Sequence, residues 1–217
     1  MSAPGSGLAD LKRRLAAPAP PATPAVRPDE ACDFCSTPLE PDHGHLVDLE
    51  PRALRCVCRP CALLFESEGA AGGRYRRVPE RYLALGEASG PAWDLLDIPV
   101  GVAFFFINST LDRVAGMYPS PAGATESTLP LDAWADVVAG DPILSTLAPD
   151  VEALLIRRSR TERASFIVPI DACYELVGIV RKHWRGFDGG DEARDAINRF
   201  FERVRERSEA ARTTLLS

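Results

Sequence analysis

Two close pairs of cysteines constrain this chain more than any other feature. Cys32 and Cys35 stand three apart, Cys58 and Cys61 likewise, and 22 residues separate the pairs. Two thiolates at that spacing can grip one ion from a tight turn. Two such turns complete the tetrahedral sulfur shell that zinc takes in structural sites. A segment this short, with so few large apolar residues, needs a staple to fold. The spacing therefore predicts a four-cysteine metal module over residues 31–67, with Cys32, Cys35, Cys58 and Cys61 as ligands and zinc as the ion.

The residues between the pairs fit a zinc-ribbon or treble-clef-like module. His45 to Leu49 and Ala53 to Val57 are short apolar-rich runs around the turn Glu50-Pro51-Arg52, a hairpin carrying one pair to the other. Ala62 to Glu66 can start a helix after Cys61. Cys56 leaves an ambiguity: it lies two from Cys58, so on a strand both would face one way. Cys56 could replace Cys58 or sit beside the site as a spare thiol, and the repeated spacing favours Cys58 with Cys61. His43 and His45 could also be ligands. Iron is the alternative ion and would make the module a rubredoxin-like electron carrier; a metal-delivery protein using the five-cysteine cluster with His43 and His45 is the other form of that alternative. That site wants a glycine after each pair, and here Ser36 and Ala62 stand there. A closed four-sulfur shell leaves no position for water, so its default role is structural.

The rest of the chain divides around this module. Residues 1–30, rich in proline and alanine, read as a disordered tail, with a short helix possible around Leu8 to Leu15. Residues 68–90, with a Gly-Ala patch and Arg74, Arg76, Arg77 and Arg81, read as a linker. Residues 91–215 read as an α+β domain: an antiparallel sheet covered by helices. Val100 to Ile107 is a continuous apolar run suited to a buried strand, with Asn108 to Asp112 turning it back into Arg113 to Tyr118. Residues 119–124 read as a proline- and glycine-rich loop. Asp132 can cap a helix ending at Gly140, and Asp141-Pro142 can start another. Val151 to Ile156 and Ser165 to Ile170 form a second hairpin around Arg158 to Thr161. Asp171 caps a helix with the stripe Cys173, Leu176, Val177, Val180 and Trp184. Gly189-Gly190 ends it, and a last helix buries Ala193, Ile197, Phe200, Phe201 and Val204.

Charge and cysteine usage bound the function. The chain carries 25 basic against 31 acidic residues, net −6, the wrong sign for coating nucleic acid or an anionic membrane. No apolar run reaches membrane-span length, and no signal peptide precedes the module, so a cytoplasmic location is expected. In that compartment cysteines serve metals more often than disulfides. Cys173 belongs to a core stripe, His183 to an exposed side, and no nucleophile–base pattern or phosphate loop is present. The surface is polarised. Nine acids face one base between Ala84 and Asp150, and seven bases face four acids between Val151 and Phe187. Such a surface can orient a protein partner. The Tyr118–Glu126 segment and the basic group Arg181, Lys182 and Arg185 are the docking candidates. Arg55, Arg59, Arg74, Arg76 and Arg77 near the cysteines would serve a nucleic-acid-binding zinc ribbon, a reading disfavoured by the acidic total.

Three segments taken together, CDFCSTPLEPDHGHLVDLEPRALRCVCRPCALLF, YPSPAGATES and VPIDACYELVGIVRKHWRGFDGG, resemble an uncharacterised actinobacterial domain family. Its genes lie beside those of nickel–iron hydrogenases of the high-affinity, oxygen-tolerant type. The resemblance spans about residues 30–205 and carries no assigned activity. It implies a context: a non-enzymatic accessory protein that helps make, stabilise or wire a hydrogenase, with a hydrogenase subunit or maturation factor as partner.

Overall fold

The computed structural model describes residues 31–67, 69–85, 101–126, 134–158, 163–186 and 189–215. The expected tail over 1–30, the capping Asp132 and the turn after Arg158 lie outside the described residues.

The fold is α+β and built on two antiparallel sheets. The first has strand order β2-β1-β3, from β1 (Gly44–Asp48), β2 (Ala53–Val57) and β3 (Tyr75–Arg77). Helix α1 (Arg59–Leu63) follows β2 directly. The second sheet has order β4-β9-β8-β5-β6-β7. Its strands are β4 (Leu83–Ala84), β5 (Val102–Asn108), β6 (Arg113–Ser120), β7 (Gly123–Glu126), β8 (Glu152–Arg158) and β9 (Arg163–Pro169). Helices α2 (Trp134–Gly140), α3 (Ile170–His183) and α4 (Gly190–Leu215) complete it, with a 3-10 turn over Pro142–Thr146. Among the described residues no helix is long and apolar enough to cross a membrane.

The continuous apolar runs of β5 and β8 follow from burial on both faces of their sheet. Successive side chains point to opposite sides. Phe104, Ala153, Leu155, Phe166 and Val168 pack under α3 and α4, against Leu176, Phe200 and Phe201. Ala103, Phe105, Leu154, Ile156 and Ile167 pack on the other side, against Val137, Leu144 and Leu147. The small sheet uses the same alternation differently. Leu46 and Val57 join Cys32, Leu39, Cys61 and Ala62 in a core of the module's own. Val47 and Leu54, on the opposite face, join the large core beneath α3.

Several local expectations are corrected. The segment over 119–124 is not a loop: β6 runs through Ser120 and β7 starts at Gly123, leaving a two-residue turn. Pro119 is tolerated because β6 pairs with β5 only as far as Met117, so nothing on that side asks for its missing N–H. The Ser120 hydroxyl donates to the Gly123 carbonyl at 2.9 Å and accepts from Ala122 N at 3.2 Å, replacing lost backbone bonds. Asp171 does not cap α3. Pro169 holds the cap position and Asp171 sits inside the first turn, its carboxylate turned towards His45. Asp141 does cap, accepting from Ile143 N, but the turn that follows is 3-10. Gly189 and Gly190 adopt φ of 86° and 75°, which explains the break between α3 and α4. A Cβ on Gly189 would stand 2.9 Å from the Trp184 ring packed over it.

Of residues 68–90, expected as a linker, the described part over 69–85 contributes a strand to each sheet and several arginines to buried carboxylates. Asp48, fully buried, accepts from Arg74 at 2.9 and 3.0 Å and from Arg55 at 3.4 Å. Arg76 pairs with buried Asp150 at 3.0 Å, and Arg81 grips buried Glu152 through two bonds of 2.7 and 2.6 Å. Arg81 also donates to the Thr146 carbonyl at 3.0 Å. Arg76 and Arg81 thereby clamp the segment that leads out of the cysteine module onto β8 and the loop before it.

Candidate metal centre

The sulfurs of Cys32, Cys35, Cys58 and Cys61 all lie within 4.8 Å of one another, and those of Cys35 and Cys58 are 3.5 Å apart. An ion about 2.3 Å from each of four sulfurs would set them about 3.8 Å apart, so the cluster is of a size to hold one.

Each pair is posed by its backbone. In the first, Ser36 N donates to the Cys32 carbonyl and Cys32 N to the Thr37 carbonyl, both at 2.8 Å. Ser36 takes φ of 58°, the left-handed conformation that glycine would adopt there at less cost. Asp33 ties this turn to β2: its N–H donates to the Cys56 carbonyl at 2.9 Å and its carboxylate accepts from Cys56 N at 2.8 Å. In the second pair, Cys58 is the extended residue that caps α1, and Cys61 lies inside that helix. The helix therefore starts before Cys61, with Pro60 in its first turn, and not after it as the sequence suggested.

The ambiguity over Cys56 is resolved by where β2 stops. Val57 is its last residue, so Cys58 escapes the alternation that would have turned both thiols one way. Cys56 remains on the strand, directly across from His45. His43, His45 and Cys56 do not join the four sulfurs; one ligand atom of each lies within 4.8 Å of the others in a separate group.

The thiols show what crowding four sulfurs does. Hydrogen bonds from the Thr37 hydroxyl and backbone, then from Cys32 and Cys58, bring Cys35 down to about 6. Cys61 is pushed up to about 12, first by its hydrogen bond with Cys58 and then by burial. Burial raises Cys32, but backbone N–H groups of Cys58, Cys35 and Phe34 outweigh it and lower the thiol. Without a cation the four compete for protons, since adjacent thiolates repel. A divalent ion would favour the thiolate at all four. The site is buried at Cys32 and Cys61 and exposed at Cys35. Phe34, Phe65 and Tyr75, each pair of rings 5.2 Å apart, form a cluster of tilted and edge-on rings, and Phe65 and Tyr75 pack against the core that holds Cys32 and Cys61.

The other candidates are placed elsewhere. Cys173 is fully buried, and burial pushes its thiol well above the usual range. His183 meets Glu192 at 2.7 Å on the surface, and that bond lowers the Glu192 carboxyl. Arg77 pairs with Glu66 and Glu80. A cavity of about 150 Å³ opens between the small sheet and β6, lined by Leu54, Phe106, Met117, Ile170 and Tyr174 among others. No cysteine or histidine lines it. Its carboxylates are held by arginines, Glu126 by Arg113 at 2.5 Å and Asp150 by Arg76.

No curated protein and no solved structure matches this chain. A family described as of unknown function, DUF5947, matches over residues 31–208, from just before the first cysteine into α4. The chain belongs to that family.

Proposed function

We propose that this protein is a non-enzymatic accessory protein in which a structural zinc ion holds a treble-clef-like module against a partner-binding α+β domain. The observation that carries the reading is the closed set of four sulfurs. With all four around one ion, no coordination position is left for water or substrate, and the ion's work is to fold the chain. The order of parts supports a treble clef: a cysteine turn, a hairpin, then a short helix whose first turn brings the second pair. Zinc is preferred to iron because Ala62 lies inside α1, so only one of the two turns has the left-handed residue of a rubredoxin loop.

The client we propose is a nickel–iron hydrogenase subunit or maturation factor, on the strength of the resemblance set out above. The docking surfaces are the β6–β7 hairpin, with its exposed tip, and the basic end of α3 at Arg181, Lys182 and Arg185. The nucleic-acid alternative is weakened by the ion pairs: Arg55, Arg74, Arg76 and Arg77 all bind carboxylates of the chain itself. Elemental analysis of the purified protein should give one zinc per chain in the four-sulfur site, resistant to exchange. Iron with a visible absorption band would support the electron carrier instead. Tagged protein expressed with a hydrogenase operon should co-purify with one of its products. Unchanged hydrogenase activity on deletion, with no co-purifying subunit, would overturn the assignment of client.

A further inference from the structure

We propose that His43, His45 and Cys56 form a second metal site, separate from the four sulfurs. It takes a divalent ion of the zinc, cobalt and nickel class through two imidazole nitrogens and one thiolate, and leaves a fourth position open. The inference goes beyond the structural zinc and does not depend on it.

The hairpin builds the site. His45 and Cys56 are direct partners across β1 and β2, so their side chains emerge together on one face. His43 lies two residues earlier, and its ring centroid is 4.8 Å from that of His45. One ligand atom from each of the three falls within 4.8 Å of the others.

The hydrogen bonds orient both rings as ligands. Nδ1–H of His43 donates to the Glu40 carbonyl at 2.9 Å. A carbonyl only accepts, so the proton is on Nδ1 and the lone pair is on Nε2. That Nε2 is buried and has no hydrogen-bond partner, the one such side-chain atom among the described residues. Leaving a buried acceptor unmet costs about 1–3 kcal/mol unless something binds it. His45 donates from Nδ1 to Asp171 Oδ2 at 2.8 Å, across 126 residues of chain. A carboxylate behind a ligating histidine fixes its tautomer and raises its basicity, the usual outer partner of a metal-bound imidazole. The thiolate and the Asp171 carboxylate together balance a doubly charged ion.

Two nitrogens and one sulfur suit zinc, cobalt or nickel better than magnesium or calcium, which prefer oxygen. Three protein ligands with one open position describe a site that exchanges its ion or accepts a ligand from outside. Asp171 stands at the start of α3, so an ion here would also tie the cysteine hairpin to the large domain.

The test is metal stoichiometry of the full chain with Co²⁺ and Zn²⁺ as probes. The wild-type protein should bind two equivalents. The four-sulfur site should give intense sulfur-to-cobalt absorption, and the second site a weaker band from its single thiolate. Cys56→Ala and the double variant His43→Ala/His45→Ala should each lose one equivalent and keep the intense band. Asp171→Asn should weaken the second equivalent by about 10–100-fold. In wild-type protein, the ¹⁵N resonances of Nε2 of His43 and His45 should shift on adding the second equivalent, a readout that does not depend on any variant folding. If the equivalent with the intense band is all that binds, or the second persists in these variants with both Nε2 resonances unmoved, the proposal is overturned. Loss of the intense band alone, with the second site still filling, would instead count against the four-sulfur reading.

Discussion

The cysteine module and the sheet-and-helix domain are held by different physics. The domain buries large side chains on both faces of a six-stranded sheet, including Phe104, Leu155, Phe200 and Phe201. At about 25 cal/mol per Å² of apolar surface, such burial stabilises without any cofactor. The module's own buried core consists of Leu39, Leu46, Val57, Ala62 and two of its cysteines. On the proposed reading it depends on an ion held by the sulfurs, and it has salt links to its neighbour. The contrast teaches that one chain can fold by two routes when a charged seam and one shared sheet face, at Val47 and Leu54, join them.

That contrast can be broken first at the sulfurs. Cys32→Ser/Cys61→Ser, or stripping the metal with a chelator, should unfold residues 32–66 while the sheet domain keeps its circular dichroism. The loss should be of the order of 10 kcal/mol of metal-coupled folding, read as collapse of amide exchange protection in the module alone. If protection persists in metal-free protein, the staple is not what folds the module. Next, Phe200→Ala should cost about 3–5 kcal/mol in chemical denaturation, with the sulfur site still able to take metal. Arg81→Ala should cost about 3 kcal/mol, because Glu152 is left charged and buried without its partner. Its mark should be loosening between module and domain, seen as faster exchange in β4 and the end of β3.

A smaller effect concerns pH. The hydrogen bonds from Arg74, opposed by burial and aided by the charge of the guanidinium, hold the Asp48 carboxyl below its ordinary 3.8. Its contribution is complete above that value and disappears as pH falls through the lower folded value. Arg74→Ala should flatten the acid limb of stability below about pH 4, measured by thermal melts across that range. The smallest effect is at Cys173: burial keeps its thiol protonated, so it should be the last cysteine to react with a thiol reagent in native protein.

Much of the fold was legible because it is local. The spacing of the cysteines gave the cluster, the turn residues gave the hairpins over β1–β2 and β5–β6, and the stripe from Cys173 to Val180 gave the buried side of α3. The misses share a cause. Asp171 looks like a helix cap in one dimension, but its carboxylate is claimed by His45 from another part of the chain. The prolines of 118–126 suggest a loop, yet an outer position next to an edge strand asks nothing of Pro119's nitrogen. Arginines 74, 76 and 81 look like a basic linker because their buried acceptors, Asp48, Asp150 and Glu152, are distant in sequence or sit in segments with no obvious pattern.

By itself the sequence determined which side chains could meet within a turn or along one face: the paired thiols, the strand alternation, the helical stripes. Those follow from backbone periods of two and 3.6 residues. Only the tertiary structure decided which of Cys56 and Cys58 joins the sulfur cluster, which carboxylates the arginines neutralise, and that His43, His45 and Cys56 form a group of their own backed by Asp171. Such contacts depend on where a strand ends and which elements pack together, and those are set by burial summed over the whole molecule.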